Sequence, residues 1–578
     1  MNDLDFLRLS KPQQFVQKLK RFFLSLPRKL AGALKGLVMR LVGLVRGLGS
    51  FLADLGRTYV KGDWKTKVSY TVMGFGSAAR GQWLRGLLFF VFQTVFNLYI
   101  WFFGRTYLGK LATLGTVETA KKGRVTVYGD NSFLILLYGV LTIFFIAAFI
   151  YTWYVNIKQN KLSEMVLKSG RKLKSARDDM ASLLDTQFHK TLLALPTLGV
   201  TVFTILPIIF MILVAFTNYD NQHQPPGKLF TWVGTANFET LLTSPESDVR
   251  FEVTSSTADS AMLTITAKNG DILTVNTADP AAAVEAAALT QNSKTEFTLT
   301  QQADGSYQIE VFNEAGESVS FVGKDLQTVK TPSFSYTFRQ VLLWTLIWAF
   351  FATFLNYFLG MLVAIMINKK GIRFKKLWRT ILVMTIAIPQ FISLLYVSKM
   401  FAADGLVNGM LMNWGWISQP LPFWTDPSWA RVTIIAINVW IGIPYLMLIA
   451  TGILMNIPAD LYESARIDGA NAFQTYMKIT LPYMLFVTGP YLLTSFTSNI
   501  NNFNVIFLLS QGKPLGLELA GNAGTTDLLI TWLYKMTVTD SNYKLAAVMG
   551  ILVFVVCAVI NLVVYNFIPS VKNEEDFQ

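Results

Sequence analysis

DLYESARIDGANAFQTYMKITLP, residues 460–482, lies between two apolar runs and is itself polar. Asp460 and Glu463 stand at the spacing of a helix N-cap and its N3 partner. Gly469 supplies a stop that tolerates positive φ, and Asn471 with Gln474 repeats the start signal before Pro482 closes the second piece. The segment reads as helix, turn, helix. The first helix has only about two turns, and isolated helices under roughly 12 residues are marginal in water, so it needs a partner surface to stay folded. A docking element between two spans is the first expectation.

The surrounding chain explains what such an element would serve. Of 578 residues, 52% are hydrophobic and 15% charged, with a mean hydropathy of +0.41. Together with long apolar runs, these values exclude an ordinary soluble domain and point to a polytopic membrane protein. A net charge of +14 could suit nucleic acid, but the basic residues lie in the N-terminal arm and in short loops between spans, where the positive-inside rule puts them. A single cysteine, Cys557, lies inside the last span, so no intramolecular disulfide can form.

Residues 1–80 carry Lys or Arg every few positions among Leu, Val and Phe, as in LKRFFLSLPRKL. This is too charged to span and too apolar for a plain tail, and it reads as basic amphipathic helices on an anionic inner leaflet. No signal-peptide pattern interrupts it, so the N-terminus is expected on the cytoplasmic side. Eight spans follow, near 83–104, 133–156, 191–216, 338–367, 377–400, 430–454, 484–509 and 543–567, each long enough for a hydrocarbon core of about 30 Å. The loop 157–190 holds Lys158, Lys161, Lys168, Arg171, Lys172, Lys174 and Arg177, and the loop after the fourth span holds Lys369, Lys370, Arg373, Lys375 and Lys376. Both are expected in the cytoplasm, with both termini, the tail 568–578 and the 460–482 loop. Lys121, Lys122 and Arg124 in the first external loop run against the rule.

Residues 218–336 change character. MLTITAK, Asn269-Gly270, ILTVNT, TEFTLT, Asp304-Gly305 and YQIEVFN alternate polar and apolar positions around turn residues, which reads as hairpins of a small, mainly β domain outside the membrane. A short helix is expected in the Ala-rich piece 280–289.

The spans contain essentially no Asp, Glu, Lys or His near their centres. Arg85, Arg339, Lys399 and Lys544 fall at predicted ends. An ion-coupled carrier usually needs such a group near the midplane. No G-x-x-x-x-G-K-[ST] sequence is present either, so the driving energy is expected from another polypeptide. Instead the spans hold amides and hydroxyls: Ser495, Ser498, Asn499 and Asn502 at i, i+3, i+4 and i+7, and Asn438, Ile441, Gly442 and Tyr445 on one face of the sixth span. Amides offer paired donors and acceptors without charge and suit a neutral polyhydroxylated ligand. Taken alone, the residues leave open whether they bond between helices or face a ligand.

Glu463-Ser464-Ala465, then Gly469, Ile479 and Leu481-Pro482 resemble the EAA loop of membrane subunits of bacterial ABC importers. The flanking NVWIGIPY and NINNFNVIFLL look most like the larger permease subunit of maltose/maltodextrin importers. The resemblance covers roughly residues 190–567 apart from the insertion. It implies an all-α polytopic membrane protein of the type I ABC importer permease class, not itself an enzyme, with an inserted small β domain that contacts a solute-binding protein. It implies as partners a second related permease, two ATPase subunits and that binding protein, with ATP and Mg held by the ATPases and no cofactor by this chain. The resemblance makes Glu463, Ser464, Ala465, Asp468, Gly469, Ile479, Leu481 and Pro482 the ATPase-coupling residues. It makes Gln390, Asn438, Ile441, Gly442, Tyr445, Ser495, Ser498, Asn499 and Asn502 the sugar site. Ile386 and Gln390 replace an expected tyrosine and serine, and Ser498 an expected aromatic, which keeps a raffinose-type or plant-polysaccharide oligosaccharide open beside maltodextrin.

Overall fold

The computed structural model describes residues 49–565 apart from 123–124, 244–248, 258, 269, 293, 314–315 and 370, together with 36, 39, 43 and 47. Most of the expected arm before residue 49, Arg124, Asn269, Lys370 and the tail 568–578 lie outside the described residues. The chain divides into two compact units, residues 1–112 with 133–207, and residues 113–132 with 208–578.

The first unit is built on α1 (Trp83–Lys110) and α2 (Ser132–Lys168), two apolar helices long enough to span. α2 continues well past the expected end of its span, and its last third carries Asn156, Asn160, Ser163 and Glu164 on one stripe. Residues 63–82 fold onto that stripe. Arg80, with a side chain only 1% exposed, pairs with Asp63 at 2.5 Å and donates to Asn160 Oδ1 and to Thr66 Oγ1, each at 2.7 Å. Glu164 accepts from the Thr66 hydroxyl and the Asp63 N–H, while Asn156 accepts from the Gly74 N–H and donates to the Ser69 carbonyl. A buried polar group without a partner costs about 1–3 kcal/mol, so a polar stripe of this kind selects a polar segment to cover it. Residues 63–82 are therefore a folded plug and not a leaflet-lying amphipathic helix. The expected loop 157–190 is likewise mostly helical, since α2 runs to Lys168 and a further helix, Ala176–Leu184, starts from a Ser175–Asp178 capping box.

The second unit contains a short hairpin, β1 (Ala120–Lys122) and β2 (Val125–Val127), and a six-stranded sheet. The strands are β3 (Arg250–Ser256), β4 (Ala261–Thr266), β5 (Ile272–Thr277), β6 (Thr295–Gln301), β7 (Tyr307–Asn313) and β8 (Ser318–Val329). Their order, β3-β4-β5-β8-β7-β6, is antiparallel throughout. Two three-stranded meanders thus meet at β5 and β8. α3 (Phe188–Val214) precedes the sheet in the chain, and α4 (Pro280–Asn292) joins the two meanders. Alternation turns Phe251, Leu263, Ile265, Val275, Ile309, Val311 and Phe321 to one face, where Ala283 and Ala286 of α4 cover them. The opposite face is mostly polar, with Ile272 and Val322 as exposed apolar exceptions.

The helices that frame the site are α5 (Phe334–Asn368), α6 (Lys375–Ala387), α7 (Gln390–Met400), α8 (Pro427–Leu454), α9 (Ala459–Ile467), α10 (Ala472–Ile500), α11 (Phe503–Leu509) and α12 (Tyr543–Tyr565). Among the described residues seven helices are long and apolar enough to cross a membrane, eight if α6 and α7 form one broken span. α5 and α8 run side by side in the same sense: Trp348 and Ala352 pack with Ile434 and Ile437, and further along Tyr357 and Met361 pack with Leu446 and Met447.

Two expected spans are not single helices. The fifth bends by 93° between α6 and α7, because Ile388, the residue before Pro389, is extended at φ −80° and ψ 129°, the conformation proline imposes on its predecessor. The seventh begins earlier, at Ala472, and breaks after Ile500. There Asn502 leaves the helix and caps α11 by accepting from the Val505 N–H at 3.3 Å, a use that asparagine favours over helix interior.

Pro482 does not close the second piece of the docking segment either. The helix runs through it, helped by a wide π turn at Tyr476–Thr480. The carbonyl that Pro482 cannot bond, at residue 478, lies within that turn, so the widened backbone makes room for the ring. Pro207 in α3 follows a π turn at Thr201–Ile205 in the same register.

Candidate functional site

The elbow at 459–482 is set by its turn. α9 begins one residue before Asp460, with Pro458 at the N-cap position at φ −56° and ψ 133° and no side-chain cap. Asp460 is thus not the cap expected from the sequence. It sits in the first turn, where its charge complements the helix dipole. The stop is a Schellman motif: Ala470 N–H donates to Ala465 O at 2.9 Å and Gly469 N–H to Arg466 O at 3.1 Å, with Gly469 at φ +74°. Asp468 is the C-cap residue. Asn471 and Gln474 then form the reciprocal capping box.

Glu463, Ser464, Asp468 and Gly469 are exposed, and Ala465, Ile479 and Leu481 are half-buried. Leu461, Ile467, Phe473 and Met477 add exposed apolar surface to this polar segment. Tyr462 reaches back from α9 to Thr480, with 3.1 Å between hydroxyls. The elbow is a short lever attached to the base of α10.

At the far end of α10, amides gather around α5. Asn499 Nδ2 donates to Thr353 Oγ1 at 3.0 Å, and the Asn499 carbonyl accepts from Trp348 Nε1 at 3.1 Å. Asn502 Nδ2 donates to Asn499 Oδ1 at 3.3 Å. On α8, Asn438 is buried and its Nδ2 has no hydrogen-bond partner. Gly442, one turn further, lies against Asn356 of α5, so close that a Cβ there would fall 2.5 Å from Asn356 Nδ2. Ile441 packs at the edge of the core cluster that contains Trp348 and Ile437.

Asn438, Ile441, Gly442, Asn499 and Asn502 therefore share one region. Tyr445 is half exposed and Ser495 half-buried on the same two helices. Ser498 does not join them. It is exposed and lines a groove of ≈ 680 Å³ with Thr494, Thr497, Asn501 and Asn561, on the side of α10 that faces α12. Gln390 opens α7 just after the 93° bend, in an exposed position. Sequence reasoning missed Trp348, Thr353 and Asn356 of α5. An asparagine in the middle of an otherwise apolar span was the signal that could have found the last of these.

Further from the elbow than the amides, the segment after α3 is clasped to the start of α12. Asp220 accepts from Lys544 Nζ at 2.7 Å and lies 2.9 Å from His223 Nδ1. Burial alone would raise the Asp220 carboxyl, but Lys544 and His223 outweigh it and bring it down to about 2. Among the described residues no group of three or more His, Cys, Asp or Glu side chains could hold a metal ion.

Residues 356–573 match the family described as "Binding-protein-dependent transport system inner membrane component". The galactooligosaccharides transport system permease protein GanP of Bacillus subtilis (strain 168) is 28% identical over 513 residues, 87% of this chain and 97% of the relative. The maltodextrin transport system permease protein MdxF of the same strain is 29% identical over 526 residues, 90% and 98% of the two chains. The maltose/maltodextrin transport system permease protein MalF of Escherichia coli (strain K12) is 33% identical over 280 residues, 47% and 54%. Among solved structures, a bacterial ABC transporter involved in import of the acidic polysaccharide alginate aligns at 26% identity and a TM-score of 0.34, over 40% of this chain and 78% of that one.

Proposed function

We propose that the cargo of this chain, a permease subunit of a sugar ABC importer in the family of binding-protein-dependent transport system inner membrane components, is a maltodextrin or a related neutral oligosaccharide. The chain is a multi-pass membrane protein. Family membership implies a second permease, ATPase subunits and a solute-binding protein as partners. In the proposed assembly two ATPase copies carry the ATP and Mg, and this chain carries neither. The termini and the 459–482 elbow lie in the cytoplasm, and the β3–β8 sheet lies outside.

The observation that carries the substrate reading is the set of neutral amides at Asn438 and Asn499, buried or half-buried among apolar helices with no carboxylate or guanidinium in the group. Such a set recognises hydroxyls and gives an anion nothing to pair with. Relatives named for galactooligosaccharides and for maltodextrins support the class and leave both sugars as candidates.

The proposed mechanism runs along α10. ATP-driven closure of the ATPase dimer moves α9, seated in a groove on that partner, with Glu463 as its polar anchor and Gly469 setting the angle of the elbow. The Tyr462–Thr480 bond hands the movement to the base of α10. That helix has 29 residues and is about 43 Å long at 1.5 Å per residue, so it delivers a displacement at its base to Asn499 near its far end.

The test is uptake into proteoliposomes holding the whole complex, with maltotriose and galactotriose as competing cargo. ATP-dependent accumulation is expected. Uptake that persists without ATP and collapses with an ion gradient would replace this reading with that of an ion-driven carrier.

A further inference from the structure

We propose that the cleft between the last third of α2 and the helix that ends at Lys61 binds the phosphate of an anionic lipid headgroup. The cleft, of ≈ 270 Å³, is lined by Arg57, Lys61, Lys161 and Lys168 together with Asp54 and Glu164. A site for a drug-sized ligand has roughly 300–1,000 Å³, so the cleft suits a headgroup. Four cations against two carboxylates leave two positive charges unbalanced. Lys161 pairs with Asp54 and Lys168 with Glu164, each at 2.7 Å, and Glu164 is further committed to the Thr66 hydroxyl and the Asp63 N–H. Arg57 and Lys61 make no hydrogen bond or ion pair among the described residues. They stand four apart on one helix, so their charged heads meet on one face. A guanidinium fork beside an ammonium is the donor set that a phosphate takes.

The depth of the cleft assigns that phosphate to a lipid. Lys161 lies six residues past Val155, where the apolar run of α2 ends, which is about 9 Å at 1.5 Å per residue. A headgroup layer reaches about 5–8 Å beyond the hydrocarbon core, and the stem of a lysine or arginine spans the remainder. Aromatic rings mark the same level. Trp153 of α2 meets Tyr70, and Tyr70 meets Tyr59, with centroids 5.7 and 5.2 Å apart. Trp and Tyr concentrate where lipid meets water. Tyr59 and Val60, between Arg57 and Lys61 in the chain, are exposed, so acyl chains find an apolar flank beside the charged cleft.

The experiment equilibrates the complete complex in neutral detergent with equal amounts of phosphatidylglycerol and phosphatidylcholine and reads the retained lipid from the mass of the intact assembly. Phosphatidylglycerol is expected to be preferred, and Arg57→Gln with Lys61→Gln to lower its affinity about fivefold for each charge removed. Lys67→Gln with Lys158→Gln removes as many charges from exposed positions outside the cleft and should change the affinity by less than about twofold. Equal losses in the two double variants would reduce the preference to diffuse attraction by a basic surface and overturn the site. Hydrogen exchange of residues 63–80 should be unchanged in the first variant, and faster exchange there would assign the two charges to folding instead. Inorganic phosphate in large excess, the other source of the same group, should leave the lipid in place. Displacement by it would overturn the lipid assignment and give the cleft to a soluble phosphate.

Discussion

Tyr462 Oη lies 3.1 Å from Thr480 Oγ1, which bonds the middle of the nine-residue helix α9 to the base of α10. It is a side-chain link that spans the Gly469 turn, so the elbow is braced as well as hinged. A bond of this kind contributes about 1 kcal/mol net, and its loss leaves the fold intact. Tyr462→Phe should reduce the sugar moved per ATP hydrolysed by the reconstituted complex while assembly persists. An unchanged ratio would remove the brace from the mechanism.

Gly469 tests the hinge by conformation alone. Its φ is +74° and nothing lies within 4 Å of a Cβ built there, so a side chain meets no steric barrier. A β-branched residue in the left-handed region still costs about 1–2 kcal/mol or more, whereas asparagine tolerates it. Gly469→Val should abolish most sugar-stimulated ATP hydrolysis and Gly469→Asn should retain most of it. Similar losses in both would point to a contact at the surface of Gly469, not to its backbone angle.

The elbow was largely legible in the sequence and the sugar region only in part. Gly469 and the Asn471–Gln474 box are local signals whose chemistry acts within a few residues, and both form as read. The spacing predicts Asp460 as the cap, but Pro458, two residues earlier, already sets the entry angle. The i, i+3 spacing of Asn499 and Asn502 predicts one continuous helical face. Asparagine can end a helix as readily as line it, and Asn502 does the former. The plug at 63–82 could not be read from its own residues, because its partner is a polar stripe on α2 about ninety residues away.

That plug yields a third prediction. Arg80 joins Asp63, Thr66 and Asn160 through a guanidinium that is almost fully buried. Arg80→Met keeps the stem and removes the donors, at a cost of about 1–3 kcal/mol for leaving its buried acceptors without a donor. Hydrogen exchange of the amides of residues 63–80 should accelerate accordingly. Exchange rates equal to wild type would mean that apolar packing holds the segment.

Gly442 and Asn356 give a fourth. Gly442→Ala places a methyl 2.5 Å from Asn356 Nδ2, an overpacking that costs about 1–3 kcal/mol. The melting temperature of the purified complex should fall, and Asn356→Ala in the same chain should restore part of it. Two additive losses would show that the residues do not compete for that space.

The Asp220 clasp sets a pH dependence. Its carboxyl is lowered from 3.8 to about 2 in the folded chain, so its contribution is full above the unfolded value and is lost as pH falls through the folded one. The gap in melting temperature between wild type and Asp220→Asn should be present at about pH 5–7, above both values, and should narrow on acidification toward about 2. A gap that stays constant or widens on acidification would contradict the ion pair with Lys544.

The most direct measurement of the central claim, that this chain is a sugar gate worked through its elbow by a separate motor, is sugar accumulation by proteoliposomes carrying the complete complex, with and without internal ATP. Accumulation that requires ATP and is lost with Gly469→Val is the predicted result. Accumulation by this chain alone, against a gradient and without its ATPase partners, would contradict it.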